Sequence, residues 1–433
     1  YKPPTTGIRL NEILAINDAA VIDPIGRSSD WIEIENNSSR SYDLTGMSVS
    51  IDRMAPGQWT FPEGTRLRAK GRLVIWCNGT RDPALGPVDY LNTGWSLGGT
   101  HGLVYLFNAE EQVIDSIHYG FQVANTSIGR DKNGDWELLT NPTPGKANAL
   151  PRLTATASNV VINEWSTGGR GDDWIELYNP NPLPVDLGGN HLTDDLSSIG
   201  RTKFEIPPLN FISPGGFVKW IADGDLSKGG DHLNFSLADL GEQVALYSRS
   251  KTLIEKVQTG QTKPGESEGR LPDGSSTIVA FTDTPTPGRS NYKPIESVVI
   301  NEVLTHTDPP YEDAIELRNL SEEPLDIGKW WLSNSRSNLR KYQIPAGTTL
   351  PARGTTVFYE HQFNPAPGAD HSFALNSAHG DKVILSAADS GGDLTGYRIT
   401  VEFDAAENGV SFGLIKTSQG DQFATLSRPT FGL

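Results

Sequence analysis

The sequence predicts an all-β protein made of tandem β-sandwich domains, and three observations carry that expectation. The pentapeptide VVINE occurs at residues 160–164 and again at 298–302, with a looser IRLNE at 8–12, so the chain repeats itself. Within each repeat, short segments rich in Val, Ile, Trp and Tyr are separated by Gly, Pro and Asn-Gly signals about every ten residues, which is sandwich spacing. Nowhere does helical periodicity persist over the roughly 11–18 residues that a helix assignment needs.

At 433 residues the chain exceeds the usual size of one hydrophobic core. Apolar content of 36%, charged content of 21%, 45 Gly and 29 Pro describe a globular, turn-rich protein rather than a disordered one. No apolar run approaches the ~20 residues that span a bilayer, so membrane insertion is not expected. The net charge of -17 argues against nucleic acid as a partner, because such binding rests on a surplus of Lys and Arg against phosphates. One cysteine, Cys77, allows neither an intrachain disulfide nor a Cys-based zinc site, and scarcity of thiols suits a secreted bacterial protein. The opening YKPPTTG carries neither an initiator Met nor a basic and apolar signal, so the expectation is a mature form or a fragment of a larger polypeptide.

The repeats align element by element. The first strand reads LNEILAIN, INEWSTGG and INEVLTHT in the three copies. A loop leads to DWIEIENNSSRSYDLTG, DWIELYNPNPLPVDLGG and DAIELRNLSEEPLDIGK, whose shared skeleton is D-x-I-E-[IL]-x-N, a polar gap, then D-[LI] and G. Next come WTFPEGTRLRAKGRLVIW, KFEIPPLNFISPGGFVKW and KYQIPAGTTLPARGTTVFY, and after them LNTGWSLGGTHGLVYLF, LNFSLADLGEQVALY and HSFALNSAHGDKVIL. The first two copies close with NPTPGKAN and DTPTPGRSN; the third stops at RPTFGL, at or just before its closing strand. These motifs place domain boundaries at residues 8–148, 159–291 and 297–433, joined by the linkers ALPRLTATAS and YKPIES, too short for free tumbling. In the DKNGDW stretch, Asn133 and Gly134 suit the positive φ of a type I′ hairpin turn.

In this order the motifs resemble the bacterial lamin tail domain: NE, D-W-I-E-L-x-N, D-L-x-G, F-P-x-G-T, and a terminal P-T-P-G-x-x-N. The resemblance covers all but the termini and linkers, three times over. It implies an immunoglobulin-like sandwich and a non-catalytic module, often attached to larger extracellular proteins such as nucleases, and no defined ligand. The sequence departs from the pattern at Ala314, which replaces the Trp of D-W-I-E, and at Met47 and Asn190, which stand where the third copy has Trp330.

Asn-Glu is the first candidate for chemistry: Asn11 and Glu12, Asn163 and Glu164, Asn301 and Glu302. Strict strand alternation puts Ile8, Leu10 and Glu12 on one face, and likewise Val160, Ile162 and Glu164, and Val298, Ile300 and Glu302. A carboxylate following two core-facing residues reads as a strand-end anchor at the sandwich rim, bonded to backbone amides or a basic side chain. No repeated His, Lys or Ser nucleophile accompanies it, so catalysis is not expected. The second trio, Glu33, Glu176 and Glu316, lies opposite Ile32, Ile175 and Ile315 and reads as solvated. Trp31 and Trp174 share that outward parity, as a row that stacks on sugars or as packing for a loop or neighbouring domain.

The remaining signals are thinner. DGDLSKGGD places Asp223, Asp225 and Asp231 like the start of a Ca²⁺ loop, but Asn234 stands where an EF-hand has Glu, which favours a solvated acidic loop over a bound cation. No cofactor is otherwise indicated, and the eight histidines show no metal-binding spacing. An RGD tripeptide, Arg170, Gly171 and Asp172, sits in a loop of the second copy, and Cys77 reads as a buried, inert thiol. The expectation is a non-enzymatic array of a secreted or cell-surface bacterial protein, acting as structural spacer and protein-interaction module. Its partners would be other domains of the same polypeptide or a surface protein. The alternative is a glycan- or surface-binding accessory region of a larger extracellular enzyme.

Overall fold

A computed structural model describes residues 7–84, 90–168, 173–308, 311–418 and 420–432. The RGD tripeptide lies outside the described residues. β-branched and aromatic runs form strands throughout, and among the described residues helix is confined to the four-residue turn Glu360–Phe363 and two 3₁₀ turns. The chain forms two compact units, Tyr1–Ser267 and Glu268–Leu433, a division that falls inside the second copy at the strand Ser267–Arg270.

In the first unit, one sheet of the first copy orders Trp136–Leu138, Ile128–Arg130, Ile8–Leu14, Asp30–Asn36 and Arg72–Cys77. A second sheet orders Trp59–Thr60, Ser48–Ser50, Gly102–Phe107 and Val113–Tyr119. Leu10, Ile32 and Ile34 from one sheet meet Val49, Val104 and Ile117 from the other in a single core, as a sandwich requires. The second copy repeats the plan, with Val161–Ser166, Trp174–Tyr178 and Phe217–Ile221 in one sheet and His191–Thr193, Gln243–Tyr247 and Leu253–Gln258 in the other.

These two copies exchange aromatic side chains. Phe121 belongs to the core of the second copy and Phe211 to the core of the first. The backbones pair where they cross: Phe211 N donates to Phe121 O at 2.9 Å, and Gly120 N to Leu209 O at 3.1 Å. Gly120 is required there, because a Cβ on it would lie 1.9 Å from Asn210 Oδ1, the acceptor of the Phe121 N–H. Phe121 then meets Trp220 edge to face, with ring centroids 4.8 Å apart. The short linker is therefore only part of what joins these copies.

The second unit contains the third copy. One sheet orders Thr355–Tyr359, Ala314–Asn319, Val298–Leu304, Ser411–Thr417 and Gly420–Thr425; the other orders Lys293–Pro294, Leu394–Phe403, Asp381–Ala388, Trp331–Ser333 and Tyr342–Gln343. Ile300, Leu317 and Phe358 face Leu332, Val383 and Leu385 across the core.

A β-bulge recurs in every first strand and changes the parity predicted from sequence. The register shifts between Leu10 and Glu12, between Ile162 and Glu164, and between Ile300 and Glu302, so each Asn of Asn-Glu is the extra residue. Beyond the bulge, Ile13, Trp165 and Val303 point into the cores, and the glutamates leave the core face on which strict alternation placed them. The turn at Asp131–Asp135 also differs from expectation. Gly134 alone has positive φ there, at 92°. The Asp131 carboxylate accepts the N–H groups of Asn133 and Asp135 at 2.8 and 2.9 Å, and these bonds hold Asn133 in an ordinary turn conformation.

Candidate functional site

The bulge brings the two acidic trios together. Glu12 is the register partner of Glu33, Glu164 of Glu176, and Glu302 of Glu316, and all six are 0% exposed. The second trio is therefore buried, not solvated: its outward parity holds, but in the first and third copies the closing turn covers that face. In the first copy, Ser127 Oγ donates to Glu12 at 2.6 Å, and Thr143 donates through its N–H at 2.9 Å and its hydroxyl at 2.6 Å. Glu33 accepts from Asn11 Nδ2 at 2.7 Å and Gly145 N at 2.6 Å. Asn11 also reaches Asn148 Oδ1 at 2.7 Å, so the NPTPGKAN segment is pinned at three of its residues.

The third copy rebuilds the same set. Ser411 Oγ, Thr430 N and Thr430 Oγ1 donate to Glu302, at 2.6, 2.9 and 2.6 Å. Asn301 Nδ2 and Gly432 N donate to Glu316, at 2.6 and 2.5 Å. RPTFGL therefore does the work of NPTPG, and it follows the strand Gly420–Thr425 rather than stopping short of one. In the second copy Ser267 Oγ lies 2.5 Å from Glu164 and Asn163 Nδ2 lies 3.3 Å from Glu176. In the first and third copies the carboxylates accept backbone amides, and hydroxyls and the bulge Asn take the part assigned to a basic side chain. In the first copy Arg72 Nε stands 3.6 Å from Glu33.

Burial pushes Glu33 up to about 7, with the Glu12 charge adding to the effect, and burial also raises Glu12. A carboxylate pair with one retained proton is the raw material of acid–base chemistry. Here the lone pairs are taken by the protein's own donors under a turn, which suits anchoring.

The other predicted residues are dispersed. Trp31 packs with Leu14 and Trp76, beside Val21 and Tyr90, and so serves as packing for a loop rather than as an exposed row. Trp174 is 9% exposed. In the acidic loop, Asp223 accepts Lys228 Nζ at 2.7 Å and lies 3.1 Å from His232 Nδ1, while Asp225 accepts Ser227 Oγ at 2.6 Å. Burial works upward on Asp223, and the Lys228 and His232 contacts outweigh it, holding the carboxyl well below its usual range. Asp231 pairs instead with His101, at 3.2 Å. Among the described residues no group of three or more His, Cys, Asp or Glu side chains is placed to hold a metal ion. Cys77 is buried, and burial raises its thiol far above the ordinary value.

Two sets of residues escaped sequence reasoning. The Asn of D-x-I-E-[IL]-x-N ties down crossing loops: Asn179 Nδ2 donates to the carbonyls of Leu183, Ile212 and Ser213 at 2.9, 3.2 and 3.0 Å, and Asn36 does the same with Arg40, Leu67 and Arg68. Its position in the shared skeleton was the available signal. The pairing of the partly buried Trp330 with the exposed Tyr397 in one cleft lay outside the motif that drew attention to Trp31.

No curated protein matches the chain. Among solved structures it is similar to the exo-beta-D-glucosaminidase CsxA, at 12% identity over 54% of this chain and 25% of that one, with a TM-score of 0.15, a likeness that carries no argument. The family model of the Lamin Tail Domain matches residues 2–121, 154–261 and 292–403. With its bulged Asn-Glu strand repeated three times, the chain belongs to the lamin tail domain family.

Proposed function

We propose that the protein is a non-catalytic tandem array of β-sandwich modules in a secreted or cell-surface bacterial protein, where it serves as structural spacer and protein-interaction module. The observation that carries this reading is the use of the repeated acidic motif. In the first and third copies its carboxylates are consumed in holding the closing turn, so what was duplicated is an anchoring device rather than a reactive centre. The exchange of Phe121 and Phe211 supports the spacer role, since two copies that complete each other's cores hold a fixed geometry. The partners in this reading are other domains of the same polypeptide and surface proteins that meet its loops and strand edges.

The test is NMR relaxation on the intact chain, comparing amides of the first copy with those of the second. One shared rotational correlation time supports a rigid spacer; independent tumbling would overturn it. Turnover of glycoside, peptide or phosphoester substrates that disappears in Glu12→Gln would contradict the non-catalytic reading.

A further inference from the structure

The first unit and the second unit each contain a cleft where the entering linker passes beside the residue that follows D-[LI]-G-x. In the second copy the cleft encloses about 510 Å³ and includes Asn190; in the third it encloses about 620 Å³ and includes Trp330. Both volumes fall within the ~300–1,000 Å³ typical of small-molecule sites. Their linings differ in one respect that matters for binding. In the second copy the polar groups are spent on one another: Arg249 on Asp186 at 2.5 Å, and the hydroxyls of Thr156 and Ser158 on each other at 2.9 Å.

In the third copy they are unspent. The cleft is lined by Lys293, Glu296, Trp330 and Tyr397. Among the described residues the Lys293 ammonium, the Glu296 carboxylate, the Trp330 indole N–H and the Tyr397 hydroxyl make no hydrogen bond or ion pair with the protein. Tyr397 shares strand parity with Ile399, Val401 and Phe403, which pack into the core, yet it is 44% exposed. Trp330 packs against the same core. Two aromatic side chains thus line one cleft, with donors and an acceptor around them.

We propose that this cleft is a binding site for a neutral oligosaccharide, with a pyranose ring against Trp330 and Tyr397 and its hydroxyls bonded to Lys293 and Glu296. The chemistry favours a sugar over the other common guest of aromatic grooves, a proline-rich peptide. Each sugar hydroxyl both donates and accepts, so it satisfies the Glu296 carboxylate as well as the Lys293 ammonium, whereas a prolyl residue has no N–H to give. The cleft holds one cation and one anion, and the chain carries a net charge of -17, which selects against acidic glycans. The site lies in the third copy alone, because Met47 and Asn190 stand at the Trp330 position in the others.

The proposal goes beyond the spacer reading and does not depend on it, and relaxation of the first two copies judges that reading separately. The test is saturation-transfer NMR and calorimetry on the intact chain with neutral hexasaccharides of glucose, mannose and N-acetylglucosamine. Binding by at least one of them is expected, roughly tenfold weaker or worse in Tyr397→Ala and in Glu296→Ala, and unchanged in Asn190→Ala. Trp330→Ala is read only after its fold is verified, since that ring also packs on the core; the surface variants stand without it. Silence across the panel, affinity untouched by Tyr397→Ala, or saturable binding of a proline-rich peptide in place of the sugars would overturn the proposal.

Discussion

Glu12 and Glu33 stand directly opposite each other on adjacent strands, both out of solvent, under a turn whose amides and hydroxyls they accept. Burial holds Glu33 up at about 7 from an ordinary 4.5, so the folded state keeps a proton that the unfolded chain releases. The stability gained this way is fully present below about pH 4.5 and is lost as pH rises through about 7. A shift of this size corresponds to about 3 kcal/mol. Asp30, raised by burial to about 6, acts in the same direction. Urea denaturation of the intact chain, followed at residues of the first copy, should show falling stability between pH 5 and pH 8, with a shallower slope in Glu33→Gln. A slope that rises with pH, or one that Glu33→Gln leaves unchanged, would contradict this account.

The exchange of Phe121 and Phe211 predicts a crossed effect of mutation. Phe121→Ala removes a ring from the core of the second copy, although the residue follows a strand of the first, and should cost about 3–5 kcal/mol there. Hydrogen exchange should speed at Ile162 and Leu192 more than at Leu10 and Val104, and Phe211→Ala should give the reverse pattern. Loss confined to the copy that carries the mutation in sequence would contradict the exchange.

Asn179 spends both amide hydrogens on the carbonyls of Leu183, Ile212 and Ser213. Asn179→Ala removes a donor from the Leu183, Ile212 and Ser213 carbonyls, the last of which keeps Gly216 N, and should destabilise the second copy by about 1–3 kcal/mol, the cost of a buried group left unsatisfied. Thermal unfolding reads the shift. Asn179→Asp should be no better, because a carboxylate cannot donate.

The array of three sandwiches was legible in the sequence because repetition, strand composition and turn spacing all agree. The parity of Ile32, Ile34 and Trp31 was legible too, since their strand is regular. What alternation cannot reveal is an extra residue: the bulge at Asn11 reverses every side chain after it and carries Glu12 off the core face. Burial of Glu33 was hidden for another reason. Its cover comes from Thr143 and Gly145, more than a hundred residues away, and nothing local to Asp-Trp-Ile-Glu records that contact. The same distance concealed the role of RPTFGL, which matches NPTPG at the Thr and Gly that bond Glu302 and Glu316.

That turn is the most direct test of whether Asn-Glu is architecture. Amide hydrogen exchange at Thr430 and Gly432, measured in the intact chain and in Glu302→Gln and Glu316→Gln, reads the anchor at its two ends. Protected amides are expected in the parent chain, with faster exchange at Thr430 in Glu302→Gln and faster exchange at Gly432 in Glu316→Gln. Unprotected amides in the parent, or protection indifferent to both substitutions, would contradict it.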